Sequence, residues 1–214
     1  MRFDLVIERT AALPHPLPAP AEVLMPVIVG GMAGRRRRDA LRSATGGRAA
    51  AVLILLFPDA EGEARVVLIE RTSHDGHHSG EVSFPGGKAE PHDADLVATA
   101  IREAREEVRL DPAAAGVRVV GRLEAFPIPV SDFHVTPILA LADRAPAMEP
   151  DPREVARIVV PRLARFLPEA PIEIVERTID GWPLRYGAYA VDGLSVWGAT
   201  ARILSQLGAT LAHP

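Results

Sequence analysis

Residues 80–110 read GEVSFPGGKAEPHDADLVATAIREAREEVRL, and the rest of the chain is organised around them. Val82 to Phe84 is strand-like and runs through Pro85 into a double glycine, Gly86 and Gly87. A polar, acidic loop follows, and then a helix is expected from about Ala94 to Leu110. Asp93 suits its N-cap, because a carboxylate there accepts bonds from the first free backbone N–H groups. Val97, Ile101, Ala104 and Val108 recur at helical spacing and predict one apolar stripe. The acids are expected off that stripe. Glu103 and Glu107, one turn apart, share a flank, and Glu106 lies on the far side, one turn from Arg102. Like charges at this spacing repel unless a cation sits between them. A hard divalent ion is the natural candidate, since Mg²⁺ takes oxygen ligands from carboxylates and substrate phosphates. Taken alone, the run from Arg102 to Glu107 reads equally well as a solvated acidic helix face. The Phe-Pro-Gly-Gly turn ahead of it favours a site.

On these residues the segment resembles the Nudix box, the loop–helix signature of Nudix hydrolases. Its usual form is Gly, five residues, Glu, seven residues, then Arg-Glu-apolar-x-Glu-Glu-x-Gly-apolar. Gly87 matches the glycine, and Arg102, Glu103, Ala104, Glu106, Glu107 and Leu110 match the second half. The interval from Gly87 to Arg102 is one residue longer than the general pattern, so the first acid is Asp93 or Glu90. Arg109 stands where the late glycine of the helix's C-terminal turn is expected.

Upstream, residues 67–87 read VLIERTSHDGHHSGEVSFPGG. They resemble the extra motif of the coenzyme A pyrophosphatase branch, with Arg71, His78, Gly80, Val82, Phe84, Pro85, Gly86 and Gly87 in register. Thr72 replaces a serine, and Asp75 and Gly76 stand where an apolar and a basic residue are expected. The longer box loop also resembles that branch. So do Val135-Thr136-Pro137, Glu154-Val155-Ala156, and the run from Val196 to Ala201 containing Trp197, Gly198 and Thr200.

The chain has 214 residues and is 48% hydrophobic, which suits one domain with an extension. The net charge of −4 gives no global argument for nucleic acid. Without cysteine there is no disulfide, zinc-thiolate site or cysteine nucleophile. No apolar run is long enough to span a bilayer, and Asp4 and Glu8 break any signal-peptide pattern. A soluble cytoplasmic protein is expected.

Arg2 to Arg9 alternates weakly and is read as a short strand. Pro14, Pro16, Pro18 and Pro20 make an extended linker. No aromatic or basic flank supports a polyproline recognition motif there. Arg35 to Arg38 reads as a solvated helix face or a lid meeting anionic substrate, rather than a nucleic-acid signal. Residues 1–45 thus form an N-terminal extension with a Pro-rich linker and an arginine run, and residues 46–214 the main domain. Within it, Ala49–Phe57 and Ala64–Glu70 are paired strands around a turn at Asp59 to Gly62. Val117–Glu124, His134–Leu141 and Val155–Val160 are further strands, and Pro161 opens a helix running to Phe166. Ile172–Arg177 and Leu184–Val191 form a hairpin around Asp180-Gly181, and Leu194–Leu207 is a closing amphipathic helix. Runs of strands with a few outer helices indicate an α+β class. The resemblance refines this to a Nudix-type α/β/α sandwich with a mixed sheet.

The resemblance implies a metal-dependent pyrophosphohydrolase that cleaves the diphosphate of coenzyme A or its derivatives to 3′,5′-ADP and 4′-phosphopantetheine. Mg²⁺ or Mn²⁺ would be held by Glu103 and Glu107, with Glu106 as a third ligand and the Gly86 carbonyl in reach. Arg102 would hold a box carboxylate in place. Arg71, His78 and Gly87 would face substrate, Arg71 as a bidentate phosphate clamp. The general base is Glu106 or a loop acid such as Glu154. His78 reads equally well as a structural hydrogen-bonder. Trp197 reads first as core and second as a platform for a base. The expected partner is a small molecule, not nucleic acid or membrane, and a homodimer stays open. Two alternatives stand. One is a Nudix hydrolase of another nucleoside diphosphate derivative, such as ADP-ribose or a nucleotide sugar, favoured by Asp75 and Gly76. The other is a catalytically silent Nudix-like binding module, against which Glu103, Glu106 and Glu107 all argue.

Overall fold

The computed structural model describes residues 1–29, 47–72, 81–128, 131–179 and 181–213, without the side chains of Ile179 and Trp182. The arginine run at 35–38 lies outside the described residues, as do residues 73–80 with His78, Asp75 and Gly76. The first segment corrects the sequence expectation. Arg2 to Arg9 is not a strand: helix α1 spans Phe3–Thr10. Its buried residues are Phe3, Val6 and Thr10, whose spacing is helical, while Ile7 is exposed. The proline segment that follows has no regular structure but lies on the body of the protein. Leu13 and Leu17 pack against the core, and Gln206 Nε2 donates to the Pro18 carbonyl at 3.2 Å.

Strand β1 is Val27–Ile28, and β2, Arg48–Pro58, is the long buried strand expected from its apolar run. The expected single partner of β2 is two strands. β3 (Ala64–Val66) pairs with β2, while β4 (Leu68–Arg71) crosses to another sheet. Short strands β5 (Val82–Ser83) and β6 (Gly86–Lys88) lead to helix α2 (Leu96–Val108) and the single turn α3 (Pro112–Ala115). β7 (Arg118–Arg122), β8 (Phe126–Ile128), β9 (Phe133–Leu141) and β10 (Val155–Val159) follow. The helix expected after Pro161 is only a 3₁₀ turn, Leu163–Phe166. β11 (Glu173–Ile179) and β12 (Trp182–Val191) form the expected hairpin. The closing helix begins later than expected. Asp192 and Gly193, both at positive φ, turn the chain into a further strand, β13 (Leu194–Val196). Helix α4 then runs over Gly198–Ala212. No helix among the described residues is long and apolar enough to cross a membrane.

The central sheet has the order β3-β2-β9-β7, with β6 also on β2 and β8 also on β9. β2 and β9 run parallel, and the other pairs are antiparallel, so the sheet is mixed as expected. Alternation along β2 feeds two cores. Ile54 and Leu56 pack with Leu139 and Leu141 against α4, through Ala201, Leu204 and Leu207. Ala51, Leu53 and Leu55 pack with Ile138 and Ala140 against α2, through Ala100, Ala104 and Val108. Helix, sheet and helix therefore form the three layers, and both faces of β2 are apolar because both are covered. Two smaller sheets flank this core, β10-β4-β5 and β1-β12-β11 with β13 on β12. β4 brings Arg71, and β6 the double glycine, to the same side of the sheet as α2.

Candidate active site

Helix α2 starts two residues later than the sequence suggested. Its N-cap is Asp95, whose Oδ1 accepts from the Ala98 N–H at 2.8 Å. Asp93 has a different task. Its Oδ1 accepts from Arg102 Nε at 3.0 Å and its Oδ2 from Nη2 at 3.1 Å, a two-point pair. Oδ2 also accepts from the Glu90 N–H and from the buried Thr99 hydroxyl. Arg102 continues outward: Nη2 donates to the Lys88 carbonyl, and Nη1 to Glu103 at 2.8 Å and Glu106 at 3.0 Å. Of the two candidates for the first acid, Asp93 is thus the one bound to Arg102, while Glu90 pairs with Lys88 at the surface. The Arg102 hydrogen bonds are the main reason that the Asp93 carboxyl is held far below the ordinary carboxylate range.

Glu107 departs from expectation. It does not lie off the buried stripe but within it, alongside Ala100, Ala104 and Val108, and its side chain is 2% exposed. Val97 and Ile101 are only half-buried. A buried carboxylate needs partners for both oxygens. Oε2 accepts from the Gly86 N–H at 2.8 Å, and Oε1 accepts from Arg71 Nη1 at 3.0 Å. Burial nevertheless dominates and pushes the Glu107 carboxyl up to about 7. Glu103, 15% exposed, is also raised, first by burial, against the lowering effect of Arg102.

The double glycine is required by contact. A Cβ on Gly86 would lie 2.5 Å from the Ala51 carbonyl oxygen, and one on Gly87 2.7 Å from the Glu103 carboxylate. Gly86 lets its strand close on β2 and aim its N–H at Glu107, and Gly87 leaves the space that Glu103 fills. The C-terminal turn of α2 forms without its usual glycine: Arg109 takes the left-handed conformation, φ 51°. The loop before β10 then crosses the end of α2, with the Asp151 N–H on the Glu107 carbonyl and the Glu149 N–H on that of Val108. This loop carries Glu154, whose Oε2 lies 3.7 Å from Arg71 Nη2.

Of the residues singled out in the sequence, Glu103, Glu106, Glu107, Arg102, Arg71, Gly86, Gly87 and Glu154 are therefore linked by direct contacts or chain adjacency. His78 lies outside the described residues. Trp197 sits at the start of α4, half-buried and stacked on the buried Tyr186 with ring centroids 4.6 Å apart. The sequence reading missed Thr99, whose only signal was a hydroxyl one turn after the N-cap. It also missed the Arg71–Glu107 pair, which joins residues far apart in the chain.

Among the described residues no three acidic or imidazole side chains already converge as a ready-made metal cage. The donor set still fits a hard cation. Its ligating atoms are all carboxylate or backbone oxygens. Two of its acids are taken out of water with incomplete compensation, so an added positive charge has something to neutralise.

A family model described as the NUDIX domain matches residues 47–175, more than half of the chain. Nudix hydrolase 22, chloroplastic, of Arabidopsis thaliana is 39% identical over 163 residues, 72% of this chain and 52% of that protein. An uncharacterized Nudix hydrolase, NudL of Yersinia pestis, is 34% identical over 165 residues, 77% of this chain and 80% of that protein. The chain spans about half the length of the Arabidopsis relatives it matches, 52% of one and 55% of another, Nudix hydrolase 15. Among solved structures, the Nudix hydrolase RenU of M. smegmatis aligns at a TM-score of 0.47 and 25% identity, over 56% of this chain and 73% of that one.

Proposed function

The chain belongs to the Nudix family, and from that premise we propose that it hydrolyses the diphosphate bond of a nucleoside diphosphate derivative with a divalent cation, coenzyme A and its derivatives being the favoured substrates. The observation that carries the chemistry is Glu107. A carboxylate only 2% exposed beside a second desolvated one, Glu103, is poorly suited to stabilising a fold and well suited to a cation. In this reading Glu103 and Glu107, with Glu106 and the Gly86 carbonyl, hold Mg²⁺ or Mn²⁺. Held there, such a cation would supply charge neutralisation for the diphosphate and acidification of a bound water. Arg102, fixed by Asp93, keeps Glu103 and Glu106 pointed at the site. Glu106 and Glu154, both exposed, are the candidate bases, with side chains 58% and 56% exposed. Arg71 and the Gly87 backbone would face the substrate, and the sequence assigns His78, outside the described residues, to the same role. The catalytic unit is assigned to residues 46–214, with residues 1–45 as an extension and the protein working in the cytoplasm.

The finer substrate assignment rests on the motif from Val67 to Gly87. The departures at Asp75 and Gly76 favour the second reading, a different nucleoside diphosphate derivative such as ADP-ribose. One experiment separates them: incubation with Mg²⁺ or Mn²⁺ and a panel of coenzyme A, ADP-ribose and NADH, with products identified by mass. Release of 3′,5′-ADP and 4′-phosphopantetheine from coenzyme A as the fastest reaction is expected. Faster cleavage of ADP-ribose would move the assignment to the second reading, and no cleavage of any compound would overturn both.

A further inference from the structure

Among the described residues two arginines touch the box carboxylates, and they are held very differently. Arg102 is bound at Asp93 by two bonds, at the Lys88 carbonyl by a third, and at Glu103 and Glu106 by one each. Five bonds tie it down. Arg71 makes a single hydrogen bond through its side chain to a box acid, Nη1 to Glu107 Oε1 at 3.0 Å. Its side chain is 26% exposed, and its other terminal nitrogen already leans towards Glu154 Oε2 at 3.7 Å, an acid that is 56% exposed. Among the described residues Arg71 is also the one side-chain cation within 4 Å of Glu107.

We propose that Arg71 is a stand-in for the metal: it neutralises Glu107 in the metal-free protein, is displaced when the cation binds, and is thereby delivered to the substrate diphosphate. This rests on the enzymatic reading above, and adds to it an order of events and a coupling. The Gly86 N–H pins Oε2 of Glu107, so the carboxylate has little room to turn away from a competitor. A divalent ion on Glu107 and a guanidinium on the same carboxylate repel at short range in a poorly hydrated site. The cation held by a single bond yields, and that is Arg71, at the end of β4 with one side towards solvent. Once free of Glu107, its fork is available to the nearest anion. Without substrate that anion is Glu154. With substrate it is a phosphate, which a guanidinium binds in bidentate fashion. Metal binding thus creates the phosphate clamp, and substrate binding in turn stabilises the metal-loaded state, since such coupling is reciprocal.

The test uses the full chain stripped of metal. Mn²⁺ is titrated into wild type, Arg71→Gln and Arg71→Lys, with free Mn²⁺ read by electron paramagnetic resonance. Removing the competitor should tighten Mn²⁺ binding in Arg71→Gln by roughly tenfold, the scale of one charge-assisted hydrogen bond, with Arg71→Lys in between. The second reading is the affinity for α,β-methylene-ADP, a non-hydrolysable diphosphate, with and without Ca²⁺. The gain from Ca²⁺ should be about tenfold larger in wild type than in Arg71→Gln. Equal Mn²⁺ affinity in wild type and Arg71→Gln, or an equal Ca²⁺ gain, overturns the proposal. If Arg71→Gln does not fold, the wild-type protein decides alone. The side-chain Nε–Hε resonance of Arg71, assigned through Arg71→Lys, should shift on saturation with Mg²⁺, and an unmoved resonance overturns the exchange. A protein that shows the exchange but cleaves nothing in the substrate panel keeps this inference and loses the enzymatic one. Cleavage without exchange does the opposite.

Discussion

The two ends of helix α2 hold their acids by opposite means. At the N-terminal end, Asp93 is bound by a guanidinium, a backbone N–H and the Thr99 hydroxyl, and its carboxyl is held far below its ordinary range chiefly by Arg102. That end is saturated and favours the charged form. At the C-terminal end, Glu107 has one guanidinium and one N–H, sits at 2% exposure, and is pushed up to about 7 chiefly by burial. That end disfavours the charged form. The contrast separates two uses of carboxylates one helix apart. Asp93 builds the scaffold, and Glu107, with Glu103 beside it, keeps a charge deficit that a cation can relieve.

The sharpest way to break this comparison is to remove charge at the deficient end. Glu103→Gln and Glu107→Gln should each lower turnover by at least about 10²-fold, the scale of one preorganised electrostatic group. Because Glu107 lies on the buried stripe, its variant must be shown to be folded by thermal melting in the same preparation. Near-wild-type rates in both would remove the site assignment.

The same contrast fixes the sign of a pH effect. The ordinary glutamate value is 4.5, and Glu107 stands at about 7 in the fold. Between those values the unfolded chain has released the proton while the native protein keeps it, so the metal-free protein loses stability as pH rises through that window. The full loss is on the order of 3 kcal/mol. Asp93 acts the other way: its contribution is present above the ordinary aspartate range and is lost as pH falls through its depressed value. Urea unfolding with chelator at pH 5 and pH 8 measures the balance, and Mg²⁺ should flatten the loss at pH 8. Stability that rises from pH 5 to pH 8 without metal would contradict the Glu107 environment.

Much of this site was legible in the sequence because it is local. The positions of Gly86, Gly87, Arg102, Glu103 and Glu106 follow from one turn and one helix, and the buried run at Ala49–Phe57 gave the central strand. What was misread depends on contacts from elsewhere. Asp93 looks like an N-cap until Arg102, nine positions on, takes both of its oxygens. Glu107 looks like a surface acid until Gly86 and Arg71 close over it. Helical periodicity places it one flank away from Ala104, and only the packing of β4 and β6 shows that this flank is covered. Phe3, Leu5 and Ile7 imitate a strand, but Phe3 and Val6 are the residues that find a core. The strand β13 was hidden because its turn, Asp192-Gly193, directly precedes an apolar stretch that reads as the start of a helix.

Smaller effects sharpen the picture at the saturated end and at the helix terminus. Thr99→Val keeps the shape but removes the hydroxyl that donates to Asp93 at 2.9 Å. It should lower stability by about 1 kcal/mol, read by urea unfolding, while leaving Mn²⁺ affinity within about twofold. A large change in metal affinity would show that the two ends are not separate. Arg109→Gly should raise stability by about 0.5–1 kcal/mol, because glycine takes the left-handed turn without the Cβ penalty. The surface pair it forfeits, Arg109 with Glu149, is exposed and worth little. A lower melting temperature in that variant would mean that the turn is not strained.

The most direct test of the central claim is turnover of a diphosphate substrate in excess chelator, followed by addition of Mg²⁺ or Mn²⁺ to the same sample. Glu103 and Glu107 alone repel a diphosphate, so cleavage should stop with chelator and return with either ion. Undiminished turnover in excess chelator would contradict the claim that these carboxylates work by holding a cation.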